Sequence, residues 1–85
     1  MRAHLLVQVQ PGKEREFISQ AKSIAKQCNC VKEMDFVHGS YDVVMDLEAD
    51  LKVIDAFVLK VRSLANVRRT ETLLSFEEFP TLEPI

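Results

Sequence analysis

The stretch that decides the fold is residues 31–48, VKEMDFVHGSYDVVMDLE. Its amino-terminal part, 31–37, is predicted to be a strand bounded by turn residues. Gly39 follows in the segment His38-Gly39-Ser40-Tyr41, where a positive φ would close a tight hairpin. Beyond the turn, Val43, Met45 and Leu47 alternate with mostly polar residues, which indicates a second strand over 42–48 with one apolar side. The stretch therefore predicts a β-hairpin.

A helix and a strand are predicted on the amino-terminal side of this hairpin. Glu14 and Glu16 follow Pro11-Gly12 and favour the positive end of a helix dipole. Asn29 is predicted to end the helix, because its short side chain tolerates the left-handed conformation. The apolar residues of the helix have the spacing of one buried side: Phe17, Ile18, Ala21, Ile24, Ala25 and Cys28. The preceding strand, over 4–9, places Leu5, Val7 and Val9 on a common side.

The carboxyl-terminal side repeats this order. Asp50 fits as the N-cap of a second helix, Asn66 is expected to close it, and a long last strand is predicted from Val67 to Phe79. One side of the helix is apolar throughout: Leu51, Ile54, Phe57, Val58, Val61, Leu64 and Ala65.

A shift of 36 residues superposes the two halves of the chain, with Val7 on Val43, Ile18 on Ile54 and Val31 on Val67. Two βαβ units in this order predict the α+β class and a ferredoxin-like split βαβ fold (βαββαβ). Such a fold has a four-stranded antiparallel sheet with two helices on one face. We expect a single domain over residues 1–79 and an irregular tail over 80–85.

One face of the predicted sheet is left without helices. We expect Leu6, Val44, Leu74 and Phe76 on this face, or the alternate residues of these strands if the register differs by one. A second copy stacking sheet on sheet, as in an α+β sandwich or barrel dimer, would bury them. The alternative is a monomer whose sheet is half solvated.

Composition and charge exclude several classes of protein. With 11 Lys and Arg against 13 Asp and Glu, and no basic cluster longer than Arg68-Arg69, direct nucleic-acid binding is not expected. No apolar run approaches the length of a membrane span and no signal peptide is visible, so we expect a cytoplasmic protein with no membrane partner. Cys28 and Cys30 are expected to be reduced apolar side chains. His4 and His38 lack metal-ligand spacing, so no metal site is predicted.

No catalytic or cofactor motif is present, and we therefore predict no enzyme, no catalytic residue and no cofactor. The hairpin nevertheless gathers a carboxylate, a hydroxyl, an aromatic ring and free backbone N–H groups within residues 38–42. Asp42 has the chemistry to accept from an ammonium group, while Ser40 and the backbone could donate to a carboxylate. The structural alternative makes Gly39 a plain turn residue and Asp42 the break at a strand edge.

Thr70 and Thr72 are a second candidate pair. They alternate onto one face of the last strand and place two hydroxyls side by side. Thr is also an ordinary strand former, and the neighbouring Arg68 and Arg69 have the ordinary alternative of pairing with surface carboxylates.

The hairpin 37–44 (VHGSYDVV) and the strand 67–74 (VRRTETLL), at this separation, resemble the effector-binding (RAM) domain of the Lrp/AsnC transcription regulators. The first strand and the segment 9–14 (VQPGKE) also resemble that family, so the similarity covers nearly the whole chain. The resemblance implies a ferredoxin-like domain that dimerises through its sheets and often forms an octamer of four dimers. Because the chain begins at the first strand, it implies a form without the family's helix-turn-helix DNA-binding domain.

The resemblance also implies a site. Small effectors of the family, usually amino acids, bind between dimers near the hairpin and the last strand. Asp42 would take the ammonium group. The complete set of implied ligand-binding residues is Gly39, Ser40, Tyr41, Asp42, Thr70 and Thr72.

We therefore predict a regulatory module that senses an amino acid or similar small metabolite and co-assembles with family regulators. Two other classes remain open at this point. Small dimeric α+β barrels include cofactor-free monooxygenases, whose pocket lies within one chain between sheet and helices. A purely structural assembly subunit would have no pocket.

Overall fold

The computed structural model describes residues 1–77 and confirms the ferredoxin-like fold. Four antiparallel strands form one sheet in the order β2-β3-β1-β4, and the elements follow the chain order βαββαβ. Their bounds are β1 Arg2–Val9, α1 Glu14–Cys28, β2 Val31–Phe36, β3 Val43–Glu48, α2 Leu51–Arg62 and β4 Val67–Leu74.

The core lies between the sheet and the two helices. It is formed by every second side chain of the central strands and by the apolar side of each helix. β1 and β3 each bury every second side chain, and the helices contribute the large aromatic residues Phe17 and Phe57. The predicted inward side of both central strands is confirmed. The buried apolar set is Ala3, Leu5, Val7, Val9, Phe17, Ala21, Cys30, Val43, Met45, Leu47, Ile54, Phe57 and Val61.

The sequence predicted four helix ends, and the structure confirms three of them. α1 begins with acidic residues in its first turn and ends at Asn29, which adopts the left-handed conformation with φ 54°. Asp50 is the N-cap of α2, although its backbone carbonyl rather than its side chain accepts from Val53 and Ile54. The predicted end at Asn66 is wrong. Ser63 is the C-cap, and its hydroxyl donates to the carbonyl of Lys60 at 2.6 Å.

The prediction of reduced cysteines is contradicted by the structure, which joins Cys28 and Cys30 in a disulfide. Asn29 lies between them, and its left-handed conformation turns the chain sharply. The two Cα atoms are consequently 5.2 Å apart, a separation usual for disulfides. The bond ties the end of α1 to the residue that precedes β2.

Replacing Cys28 with serine is expected to lower the free energy of unfolding only modestly. The disulfide closes a loop of very few residues, so the chain-entropy relation gives it about 1 to 2 kcal/mol. Urea unfolding of the oxidised protein and of Cys28→Ser measures the difference. A reductant should lower the stability of the unmodified protein by a similar amount and leave the variant unchanged; a thiol that alkylates freely without reductant contradicts the disulfide.

The outer strand β4 carries a bulge that reverses its side-chain alternation. Val67 pairs with Val9 and Arg69 pairs with Gln8, so Arg68 is an extra residue in β4. Beyond it, Leu73 pairs with His4 on the open face, whereas Leu74 pairs with Ala3 on the helix-covered face. The predicted place of Leu74 on the open face is therefore wrong.

The last strand is also shorter than predicted. β4 ends at Leu74, where the backbone N–H of Ser75 donates to the carbonyl of Arg2. Phe76 lies beyond the strand and is 95% exposed. The predicted strand end at Phe79, the domain boundary there and the tail over 80–85 lie outside the described residues.

The open face of the sheet mixes apolar and paired polar side chains. The register places on it His4, Leu6 and Gln8 of β1, Val44 and Asp46 of β3, and Arg69, Glu71 and Leu73 of β4. His4 Nδ1 and Asp46 Oδ1 are 2.6 Å apart across neighbouring strands. Leu6 and Val44, which the sequence assigned to this face, are confirmed there.

Candidate functional site

One backbone hydrogen bond closes the hairpin between β2 and β3, and another holds it to β1. The N–H of Val37 donates to the carbonyl of Asp42, and the N–H of Asp42 donates to the carbonyl of Val7, each at 2.9 Å. Gly39 has φ +139°, and a side chain added there would meet no atom within 4 Å. The predicted positive φ is confirmed, and the turn projects into open space.

Asp42 is half-buried and has a structural partner. Its Oδ2 accepts the backbone N–H of Val9 at 2.8 Å, which fixes the carboxylate beside the last residue of β1. Within residues 1–77, Oδ1 accepts no hydrogen bond. One oxygen therefore anchors the hairpin, and the other remains available to a donor from outside the chain.

Tyr41 is held by two neighbouring side chains of β4. Its hydroxyl donates to Glu71 Oε1 at 3.0 Å and accepts from Arg69 Nη2 at 2.7 Å. The Arg69 guanidinium carbon also lies 5.2 Å from the centre of the Tyr41 ring, within the range of a cation–π contact. These contacts fix the aromatic ring over the open face. The sequence did not predict this cluster.

The tip of the hairpin presents unused hydrogen-bond donors. In the described part of the chain, the backbone N–H groups of Gly39, Ser40 and Tyr41 have no acceptor, and neither does the Ser40 hydroxyl. The Ser40 carbonyl accepts from Gln8 Nε2 at 3.4 Å. Free donors thus lie within three residues of a carboxylate oxygen without a partner, an arrangement complementary to a group that carries both an ammonium and a carboxylate.

The six implied ligand-binding residues do not form one site within a single chain. Thr70 pairs with Val7 and Thr72 with Leu5, so both threonines lie on the helix-covered side of β4. The prediction that these two share a face is confirmed. Tyr41, in contrast, contacts Arg69 and Glu71, which point the other way.

The described residues were also compared with the requirements of a metal site, a membrane span and a further groove. Across 1–77 there is no group of three or more metal-ligating side chains. No helix in that range is long and apolar enough to cross a bilayer. A groove of about 220 Å³ near Asn66 is otherwise lined by residues of the loop between β1 and α1, of α1 and of the turn before β4: Gln10, Lys13, Glu16, Gln20 and Ala65.

The solved structures that resemble this chain include relatives of nearly the same length. FFRP-DM1 is 31% identical with a TM-score of 0.74, over 88% of this chain and 97% of that chain. TTHA0845 from Thermus thermophilus is 30% identical with a TM-score of 0.80, over 94% of this chain and 98% of that chain. Known family profiles and curated proteins give no match.

Larger regulators contain the same fold. AsnC of E. coli superposes with a TM-score of 0.70 at 15% identity, and the transcriptional regulator NMB0573 of Neisseria meningitidis, solved in complex with L-Met, with 0.65 at 18%. This chain spans 55% of the length of each. The chain thus has the fold of a domain that these transcriptional regulators contain. It belongs to the Lrp/AsnC family of regulators and corresponds to the family's RAM-type domain.

Proposed function

We propose that this module binds a free amino acid or a similar small zwitterion at the hairpin 39–42 and thereby regulates transcription. The observation that carries the proposal is the juxtaposition of unused N–H donors at residues 39–41 with the free Oδ1 of Asp42. The N–H groups and the Ser40 hydroxyl would hold the ligand carboxylate. Asp42 would accept from the ammonium group, and Tyr41 would border the ligand side chain.

Two further observations support an amino acid as the ligand. The regulator NMB0573 shares the fold and was solved with L-Met. The bond from Val9 fixes the Asp42 carboxylate before any ligand arrives, so little side-chain entropy is lost on binding.

We further propose that the module functions as a homodimer through its open sheet face, with four dimers forming an octamer. Leu6, Val44 and Leu73 on that face gain from burial, at about 25 cal/mol per Å² of apolar surface. The same assembly surfaces would allow co-assembly with full-length regulators of the family. In such an assembly, Thr70 and Thr72 could approach a hairpin only from another subunit.

A thermal-shift screen with the common amino acids, L-methionine among them, tests the binding proposal. A ligand present at 100 times its dissociation constant should stabilise the folded protein by about 2.7 kcal/mol. Saturable stabilisation by one or a few amino acids is the expected result. If no amino acid shifts the transition, the binding proposal is wrong and a purely structural role gains support.

Replacing Asp42 with asparagine is expected to weaken binding of the amino acid found in that screen. The change keeps the shape and an acceptor for Val9 but removes the charge, so affinity should fall by about 1.5 to 3 kcal/mol. Calorimetric titration measures the difference. The matched control is Asp55→Asn, which removes the same charge from the exposed side of α2 and should leave affinity unchanged. Equal affinities of all three proteins would remove Asp42 from the site.

A further inference from the structure

The Cys28–Cys30 disulfide borders a groove of about 360 Å³ between the carboxyl end of α1 and one side of α2. α1 contributes Gln27 and Cys28 to the groove. The spacing of the lining residues from α2 is that of one helix side: Lys52, Val53, Ala56, Phe57 and Lys60. In the described part of the chain, neither the hairpin nor β4 lines this groove, so it is separate from the proposed amino-acid site.

The two cysteines differ in their access to the groove. Cys28 is half-buried and lines it, whereas Cys30 is 0% exposed. Thiol–disulfide exchange begins when a thiolate attacks one sulfur of the disulfide, and access selects the sulfur that is attacked. A small thiol in the groove can therefore reach Cys28 but not Cys30.

The groove combines apolar side chains with two ammonium groups. Lys52 and Lys60 line it and, among residues 1–77, no carboxylate does. Lys60 Nζ donates to Gln27 Oε1 at 3.3 Å, which places this charge beside the residue that precedes Cys28. Lys52 makes no hydrogen bond or ion pair with any described residue. The two charges would attract a thiol that carries carboxylates.

A donor is already in place for a thiolate at Cys28. The backbone N–H of Cys30 donates to Cys28 Sγ at 3.1 Å. The carboxyl end of α1 carries partial negative charge and disfavours a thiolate there, and this hydrogen bond opposes that effect. Cys28 therefore has the chemistry of the exchanging cysteine, and the buried Cys30 that of the resolving cysteine.

We propose that Cys28 is a site of reversible thiol–disulfide exchange with a small thiol that carries carboxylates, such as a cysteine-containing peptide. The thiolate of this compound attacks Cys28 Sγ, the bond to Cys30 Sγ breaks, and Cys30 takes up a proton. A second molecule of the thiol then attacks the sulfur of the first, which releases the small disulfide and leaves Cys28 reduced. Two electrons pass from two thiols to the protein, and the reverse sequence reoxidises the pair.

The exchange changes the end of α1 more than the sheet. It opens the bond between Cys28 and Cys30, and the mixed disulfide places a charged group in the groove between the helices. The Cys30 carbonyl accepts from the N–H of Glu48 at 2.9 Å, so Cys30 remains attached to the end of β3.

Oxidised protein incubated with reduced glutathione, quenched with acid at successive times and mapped by mass spectrometry, tests the proposal without any substitution. We expect a mixed disulfide at Cys28 that precedes the fully reduced protein. A mixed disulfide at Cys30 in equal or larger amount would overturn the proposal.

Two variants test the separate roles of the cysteines. In reduced Cys30→Ala the adduct cannot be resolved, so oxidised glutathione should leave a stable mixed disulfide at Cys28. In reduced Cys28→Ser the buried Cys30 should react about ten-fold more slowly or less. Circular dichroism verifies that both variants are folded. An unmodified Cys28 in the first variant, or equal rates in the two, would contradict the assigned roles.

The preference for an anionic thiol is tested in the Cys30→Ala protein. Lys52→Gln and Lys60→Gln should each slow the reaction with oxidised glutathione about two- to five-fold, as expected for exposed charges. Hydroxyethyl disulfide, which is uncharged, should be affected much less. Lys22→Gln removes the same charge from α1 outside the groove and should change neither rate. Equal slowing with both disulfides, or by all three variants, would overturn the preference. The exchange does not depend on the amino-acid site, which the thermal-shift screen tests separately.

Discussion

Replacing Phe57 with alanine is expected to lower the free energy of unfolding by about 3 to 5 kcal/mol. Phe57 is 1% exposed and lies on the side of α2 that packs on the sheet. Its removal leaves a cavity among side chains that have little room to rearrange. Domains of this size are stable by about 5 to 15 kcal/mol, so the variant should be close to its unfolding threshold.

Urea unfolding at a fixed protein concentration measures this effect, and α2 supplies its own control. Leu59 lies on the same helix but is 61% exposed, so Leu59→Ala should change stability by no more than about 0.5 kcal/mol. Similar losses in the two variants would show that the helix packs on the sheet in another orientation. A loss below about 1 kcal/mol in Phe57→Ala would have the same meaning.

The core was predictable because two independent patterns specify it. Alternation put Leu5, Val7 and Val9 on one side of β1, and helical spacing put Phe17 and Ala21 on the sheet-facing side of α1. Each pattern depends on residues close in sequence. The repeat of 36 residues then fixed the order of the elements, and known rules of strand connection left the ferredoxin-like arrangement.

The face of β4 could not be predicted from the same alternation. Its sequence contains no glycine to mark a bulge, and the extra residue, Arg68, is visible only from the pairing of Val67 and Arg69 with β1. A single extra residue exchanges the two faces of everything that follows it. For this reason Leu73, and not Leu74, lies on the open face, and Thr70 and Thr72 lie on the helix-covered face.

The contacts of the candidate site were likewise only partly predictable from local sequence. Gly39 was recognisable as a turn residue from its own chemistry, and Asp42 was recognisable as a carboxylate in a loop. The bond from Val9 to Asp42 and the contact of Tyr41 with Arg69 join residues 33 and 28 positions apart. They depend on the register between strands, which local sequence does not specify. The Cys28–Cys30 bond was missed for a related reason, because spacing alone ignores the turn at Asn29.

The register of β4 predicts which of two adjacent leucines contributes to the proposed dimer interface. Leu73 and Leu74 are adjacent and almost equally exposed, at 46% and 47%, yet they lie on opposite faces of the sheet. If the open face forms the dimer interface, only Leu73 is buried by association. An aspartate there would bring a carboxylate from each subunit into an apolar contact, opposite His4, whose ring already pairs with Asp46.

Leu73→Asp is therefore expected to weaken dimerisation about a hundred-fold or more, because burying an uncompensated charge costs several kcal/mol. Leu74→Asp introduces the same charge at the helix-covered edge and should leave the dimer intact. Sedimentation velocity over a dilution series measures both, and circular dichroism verifies that each variant is folded. Dissociation by Leu74→Asp alone would place the interface on the helix side. A dimer that survives both changes would show that the open face is not where two copies meet, because burying an uncompensated carboxylate between two sheets costs several kcal/mol.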